Sequence, residues 1–416
     1  MKNFIYTCTL GLVILTVVLM PGFGAIDVIG FQWFYLAIAN FIVVFANLLF
    51  LRNKAEEIYF RLLSKSKMLH FFCFFLLFAL ISFFSSKNIP SSIIGFSEII
   101  ILFISTFNFL FFFVLLNDSN QGYRLLFSLI IVIISGELLI SYREIFSDLF
   151  TDRTLRTGNV RYSGNTGNVN ILSYSILVKI PLLFYAISNL NGKLLKSIIA
   201  FFYLLSVGLI FSLETRSAFY LLILITFFLF IFSLHKKKYR LAIFLPLVLL
   251  ISLGFVRYFS ANPNSRFVGE LSNVVSTEDS SFNQRKIIYS ISLEMLSDHP
   301  LIGVGIGNWK TESIKYYKDY LEGYIVPYHS HNDFLQIAAE IGVFGLISFL
   351  LIMYYPVFYL FKKLNSLNII LLLSIAIHSI DSLINFPIAR PVNILPILLI
   401  LAYLYFKIDK EKICIE

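Results

Sequence analysis

Long apolar runs, parted by short clusters of polar and basic residues, occupy most of the chain. A helix needs about 20 residues to cross a bilayer core of roughly 30 Å, and about twelve runs approach that length. They lie at 4–20, 31–51, 69–84, 99–116, 125–140, 171–187, 194–213, 218–234, 241–256, 344–360, 369–384 and 394–406. The pattern predicts an all-α polytopic membrane protein, one domain over 1–416 with about twelve transmembrane helices. The first run, behind Lys2, has the charge pattern of a signal peptide as well. It is read as a span because its apolar stretch is longer than such a core usually is.

Two segments between runs exceed an ordinary connection: 141–170 and, between spans nine and ten, 257–332. Loops of that length in a compact bundle usually have a task. In the second, FNQRKIIYSISLEMLSDHP sets Ile287, Ile291 and Met295 at steps of four, with Ile288 beside them. That is one face of an amphipathic helix, stopped by Pro300 and carrying Arg285 near its start. It is expected on the outer membrane surface or against the bundle.

Composition excludes a soluble globule. With 58% hydrophobic and only 14% charged residues, and a mean hydropathy of +0.83, the chain has too little polar surface to coat one. The net charge of +9 is mostly topological. Arg52, Lys54, Arg61, Lys65 and Lys67, then Lys193 and Lys196, HKKKYR from His235, Lys362 and Lys363, and the tail lysines fall in alternate connections. This places both termini in the cytoplasm and the two long segments outside. The charge therefore gives no reason to expect nucleic acid. Cys8, Cys73 and Cys414 show no metal-like or disulfide-like spacing, and no internal repeat is present.

Candidate chemistry begins at HSHNDFLQIAAEIGVFG, residues 329–345. On a continuous helix His331 and Gly342 share a face, with Ala338 between them and Gly345 a turn further on. Such a small-residue stripe admits a neighbouring helix and would fix His331. Near a helix N-terminus the imidazolium is disfavoured, so His331 is read as a neutral general base, and His329 as an interfacial polar residue. Arg216, in SLETRSAFY, lies where span eight begins, with Thr215 and Ser217 available as caps. A helix N-terminus with a guanidinium is suited to phosphate. Arg285 belongs to the long segment and Arg161 to RYSGNTGNVN in the shorter one. Taken singly, each arginine is better read as a headgroup contact or a surface ion pair. Together with a neutral histidine they suit a diphosphate leaving group and a hydroxyl nucleophile.

HNDFLQIAAEIGVFG fits the pattern His-(Asn/Ser/Gln), nine residues, Gly, two residues, Gly, and resembles the signature of the bacterial O-antigen ligases. DHPLIGVGIGNW, TRSAFY and RYSGNTGNVN resemble other segments of that family, so the likeness covers 161–345, in order. The resemblance implies an inverting glycosyltransferase that uses no nucleotide, metal or other cofactor, in the bacterial inner membrane with its active site on the periplasmic face. Its donor is a glycan on undecaprenyl pyrophosphate, and its acceptor a hydroxyl of lipid A-core or another glycan. Carried over, Arg216 and Arg285 hold the diphosphate and His331 activates the acceptor, with Arg161, Asn170, Asn332, His329 and Glu214 in support. Glu214 departs from the family's apolar or hydroxyl residue; it either orients Arg216 by an ion pair or marks the helix end.

Other readings share parts of this pattern. An O-antigen or exopolysaccharide polymerase of the same superfamily uses the same donor, and the histidine motif favours the ligase. Glu137, Lys179, His378 and Asp381 inside spans fit a lipid-linked oligosaccharide flippase, but a transporter gathers charge near the midplane, whereas the arginines and His331 gather at one face. GVGIG at 303–307 is read as a tight turn, not a nucleotide loop.

Overall fold

The computed structural model describes residues 2–20, 28–151, 154–155, 162–259, 280–317, 327–362 and 364–414. Among them, twelve helices are long and apolar enough to cross a membrane. Nine come in succession: α1 (Lys2–Leu15), α2 (Val28–Lys65), α3 (Lys67–Ile81), α4 (Ile89–Leu116), α5 (Ser119–Thr151), α6 (Val169–Asn189), α7 (Lys193–Ser212), α8 (Arg216–His235) and α9 (Tyr239–Phe259). After α10 (Ser280–Asp298) and the single turn α11 (Trp309–Glu312) come the last three, α12 (Asp333–Lys362), α13 (Ser366–Ile384) and α14 (Pro391–Ile413).

Every apolar run coincides with one of these spans, three of them (4–20, 69–84 and 194–213) passing the α-helix end by one to five residues, and several helices outrun their runs. Residues expected as loop after 140 continue α5 to Thr151, because Tyr142 and Ile145 keep a helical spacing and are buried against the bundle. Past a break at Leu51, α2 continues to Lys65 with Ala55, Ile58 and Leu62 turned inward. Hydropathy detects only the lipid-crossing part of such helices.

α6 and α14 form the centre, with most of their residues buried, while α9 has only Ala242, Leu245, Val248 and Ser252 buried and faces outward. Between α5 and α6 the buried Lys179 ammonium lies 2.8 Å from Glu137 Oε2 and also donates to the Ser175 carbonyl at 2.8 Å. Each charge compensates the other where neither reaches water. Both chain ends lie at the same end of the bundle: Asn3 donates to the Leu115 carbonyl at 3.3 Å, and Arg61 to the Cys414 carbonyl at 3.0 Å.

At the opposite end α10 forms as the spacing predicts and stops at Asp298. Of the two positions expected for it, the bundle is the one observed. Ile288, Ile291 and Met295 bury against Val304, Trp309 and Ala339, a second small core above the first. Trp309 Nε1 donates to Ser292 Oγ at 3.0 Å and ties α11 to α10.

The stripe proposed for His331, Ala338, Gly342 and Gly345 does not exist as a helix face. His331 precedes α12, and its backbone is left-handed (φ 52°). Gly342 interrupts α12 at φ 80°, ψ −178°. A break inside a span frees backbone groups that lipid cannot satisfy. Here the 299–309 segment satisfies them: Val304 N donates to the Ala339 carbonyl (2.9 Å), Gly305 N to that of Glu340 (3.0 Å), and Val343 N to that of Pro300 (2.9 Å). The approach leaves no room for side chains, since a Cβ on Gly303 would lie 2.4 Å from the Glu340 carbonyl oxygen. The GVGIG segment is thus a turn, as expected, and the glycines of both motifs serve one junction.

Candidate functional site

The site is built on the four residues before α12. Ser330 Oγ donates to the Asn332 carbonyl at 2.6 Å, and Asn332 Oδ1 accepts from Leu335 N at 3.0 Å, capping the helix. Asn332 is therefore a structural support of the turn. The tight turn holds His331 in its left-handed conformation, φ 52°. From α10, the Tyr289 hydroxyl lies 3.0 Å from the His331 carbonyl and 2.7 Å from the Leu383 carbonyl, fastening α10, the turn and the end of α13 together.

Phe386, in the connection from α13 to α14, holds both imidazoles. His329 stacks on it with centroids 4.2 Å apart, His331 meets it edge-on at 5.0 Å, and Arg390 lies 5.3 Å from its centroid. Burial, with the Arg285 guanidinium nearby, pulls the His331 imidazole down to about 4. Burial and then Arg390 pull His329 down to about 3, against an opposing hydrogen bond with Gln336. Both rings are neutral at physiological pH, as expected for His331. The cause is desolvation and a nearby cation rather than the helix terminus alone. Nδ1 of each ring is buried without a hydrogen-bond partner.

The arginines arrive from other elements. Arg216 is the exposed first residue of α8. Thr215, expected as its cap, makes no capping bond; its hydroxyl pairs with Ser173 of α6 at 2.8 Å and pins the start of α8 to α6. Buried Glu214 turns the chain from α7 to α8 in a left-handed conformation (φ 49°). Ser217 is within hydrogen-bonding reach of Tyr174, which in turn feels the charges of Arg285 and of Asp381 on α13. Tyr174 thus stands between Ser217 at the start of α8 and the charge of Arg285, which also acts on His331. Asn170 stands in the first turn of α6, one turn before Tyr174, with its N–H donating to the Asn168 cap at 2.9 Å. Arg161 lies outside the described residues.

Several site residues carried no signal in their spacing. Tyr174 is one aromatic among many in a span, and Tyr289 lies off the apolar stripe of α10. Phe386 and Arg390 had a usable one: NFPIARP, with two prolines and an arginine between spans eleven and twelve, is not an ordinary short connection. Glu340 was hidden inside an apolar run. Its carboxylate accepts from Gly307 N at 2.9 Å and Trp309 N at 3.0 Å, locking the glycine-rich turn onto α12.

A cavity of about 350 Å³ opens beside His329. Its walls come from α2, α3, α4, α12 and α14, and it is lined by His329 but not by His331, Arg285 or Ser217. The arginine group is walled instead by α6, α8, α10 and α13. His329 and His331, two residues apart, thus differ in surroundings: His329 lines the cavity and His331 does not.

Residues 201–350 match the family model described as O-antigen ligase. The matched stretch runs from α7 into α12 and contains Arg216, Arg285, His331, Gly342 and Gly345. No curated protein matches the chain. Over that stretch the chain is similar to the O-antigen ligase family, and its twelve long apolar helices make it a multi-pass membrane protein, which together support a membrane glycan enzyme of the ligase and polymerase group.

Proposed function

We propose that the protein is an O-antigen ligase, which moves a glycan from undecaprenyl pyrophosphate to a hydroxyl of lipid A-core at the periplasmic face of the inner membrane. The observation that carries this reading is His331, held edge-on against Phe386 with the Arg285 guanidinium near enough to keep its imidazole neutral. Arg216, Arg285 and the α8 N–H groups hold the donor diphosphate. His331 accepts the proton of the acceptor hydroxyl as its oxygen attacks the anomeric carbon from the face opposite the diphosphate. The bond from that carbon to the diphosphate oxygen breaks, undecaprenyl pyrophosphate departs with the electron pair, and the configuration inverts. Charge grows on the departing diphosphate, so fixed cations there stabilise the transition state more than the ground state. No step calls for a metal or a nucleotide. The lysine-rich end of the bundle, which holds both termini, is the cytoplasmic one. Arg161, Asn170, Asn332, His329 and Glu214 support the site.

Deleting the gene in its host and sizing the glycans on undecaprenyl pyrophosphate tests the reading. Long chains there, with none on lipid A-core, are the expected result. Single repeats identify a polymerase, and no accumulation outside the membrane overturns the enzyme reading in favour of transport.

A further inference from the structure

The cavity beside His329 is polar at one end and apolar at the other, and the carboxyl groups of Glu98, Asp333 and Glu340 also belong to its lining. At one end stand His329, Gln336 and Lys310, the last with its ammonium 3.1 Å from the centre of the Tyr328 ring. At the other are Phe72, Leu102 and Met353. Along α4 the lining runs from Ser91 to Leu102, about 16 Å at 1.5 Å per residue. A cavity of that length inside a bilayer protein, apolar within and hydrogen-bonding at its mouth, matches an amphiphile with its chain inserted and its head at His329. The diphosphate chemistry is already provided for by α6, α8 and α10, elements that do not line this cavity.

We infer that the cavity bounded by α2, α3, α4, α12 and α14 is the site for an acyl chain of the lipid-borne acceptor, with His329, Gln336 and Lys310 facing its head. The inference rests on the ligase reading. It makes His329 a residue that positions the acceptor. The lipid supplies orientation: once the chain is seated, the acceptor glycan leaves the mouth next to Phe386 and His331.

Two measurements on the full-length protein in lipid nanodiscs test it. In the first, a benzophenone amino acid at Leu102 is irradiated with phospholipid, lipid A-core and undecaprenyl pyrophosphate present. Adducts on lipid A-core acyl chains are expected, and adducts confined to undecaprenyl pyrophosphate or phospholipid overturn the inference. This readout needs no turnover, so it separates the fate of the cavity assignment from that of the ligase reading. In the second, Leu102→Trp fills the inner end. The KM for intact lipid A-core should rise at least about tenfold, the loss expected on expelling about two buried methylenes. The KM for the donor should stay unchanged, which also reports that the variant is folded. De-acylated lipid A-core should bind wild type and variant alike. A variant that raises the donor KM instead, or leaves the preference for acylated acceptor intact, overturns the assignment.

Discussion

A Cβ on Gly342 would lie 2.2 Å from the carbonyl oxygen of Leu301. The second glycine-bearing motif of the chain is thus held against the first, and the histidine turn hangs from their junction.

Gly342→Ala meets both this clash and a backbone region that is essentially glycine's own. We expect a loss of about 2 kcal/mol or more in stability, read as a lowered unfolding temperature in detergent, with transfer activity falling in parallel. An unchanged unfolding temperature would mean that the junction bends without cost.

Glu340→Ala removes the acceptor for Gly307 N and Trp309 N, each bonded within 3.0 Å. Leaving them unpaired costs about 1–3 kcal/mol apiece. Hydrogen exchange at residues 303–309 should quicken, and Glu340→Gln, which keeps one acceptor oxygen, should do so less. Equal exchange in all three proteins would remove the lock assigned to this carboxylate.

The pH dependence follows from the two histidines. An ordinary histidine, near 6.5, would be half protonated at that pH; His331, near 4, remains a proton acceptor well below it. The transfer rate should hold level from neutrality down to about pH 5 and fall only as pH approaches about 4. Arg285→Gln removes one of the causes of the shift, so the acid limb should move to higher pH. Stability has its own sign: between the unfolded value and the lowered folded ones the unfolded chain binds more protons. The contribution of these two histidines to stability is therefore full above about pH 6.5 and is lost as pH falls toward about 4. Rate and unfolding profiles from pH 4 to 8 check both statements.

The roles proposed for His331 and Arg216 divide between kinetic constants. His331→Ala should lower kcat by about 10²–10⁴, the usual contribution of a general base, with the donor KM nearly unchanged. Arg216→Lys keeps the charge but loses the planar fork that grips phosphate, and should raise the donor KM by about tenfold. If Arg216→Lys alters only kcat, Arg216 does not hold the diphosphate in the ground state.

Glu137 and Lys179 pair at 2.8 Å within the bundle. Lys179→Met strands a buried carboxylate and should cost about 3–5 kcal/mol, whereas Glu137→Gln with Lys179→Met should recover most of it. A double variant as unstable as the single one would give Glu137 a role beyond pairing.

The spans were legible because lipid enforces a simple rule: an apolar run of sufficient length has one stable form, a helix with every backbone bond made inside it. α10 was legible for a related reason, its four-residue spacing of Ile287, Ile291 and Met295. The continuations of α2 and α5 escaped notice because half of each faces water and dilutes the hydropathy. The stripe below His331 was misread because an uninterrupted helix was assumed. Nothing in IAAEIGVFG says that Gly342 has a positive φ; that depends on residues 299–309, which arrive to fill the break.

The sequence by itself determined the solvent, the number of spans, the distribution of charge between the two ends, and the residue types from which a diphosphate site can be made. Those properties are additive along the chain, one residue or one turn at a time. Only the tertiary structure decided which of those residues meet. Tyr174 stands between Ser217 and the charge of Arg285, and Phe386 sets His329 and His331 in contact with one ring. The junction of Gly303 with Gly342 fixes the turn that carries both histidines. Each of these depends on steric fit between segments far apart in the chain, and such fit leaves no periodic trace in any one of them.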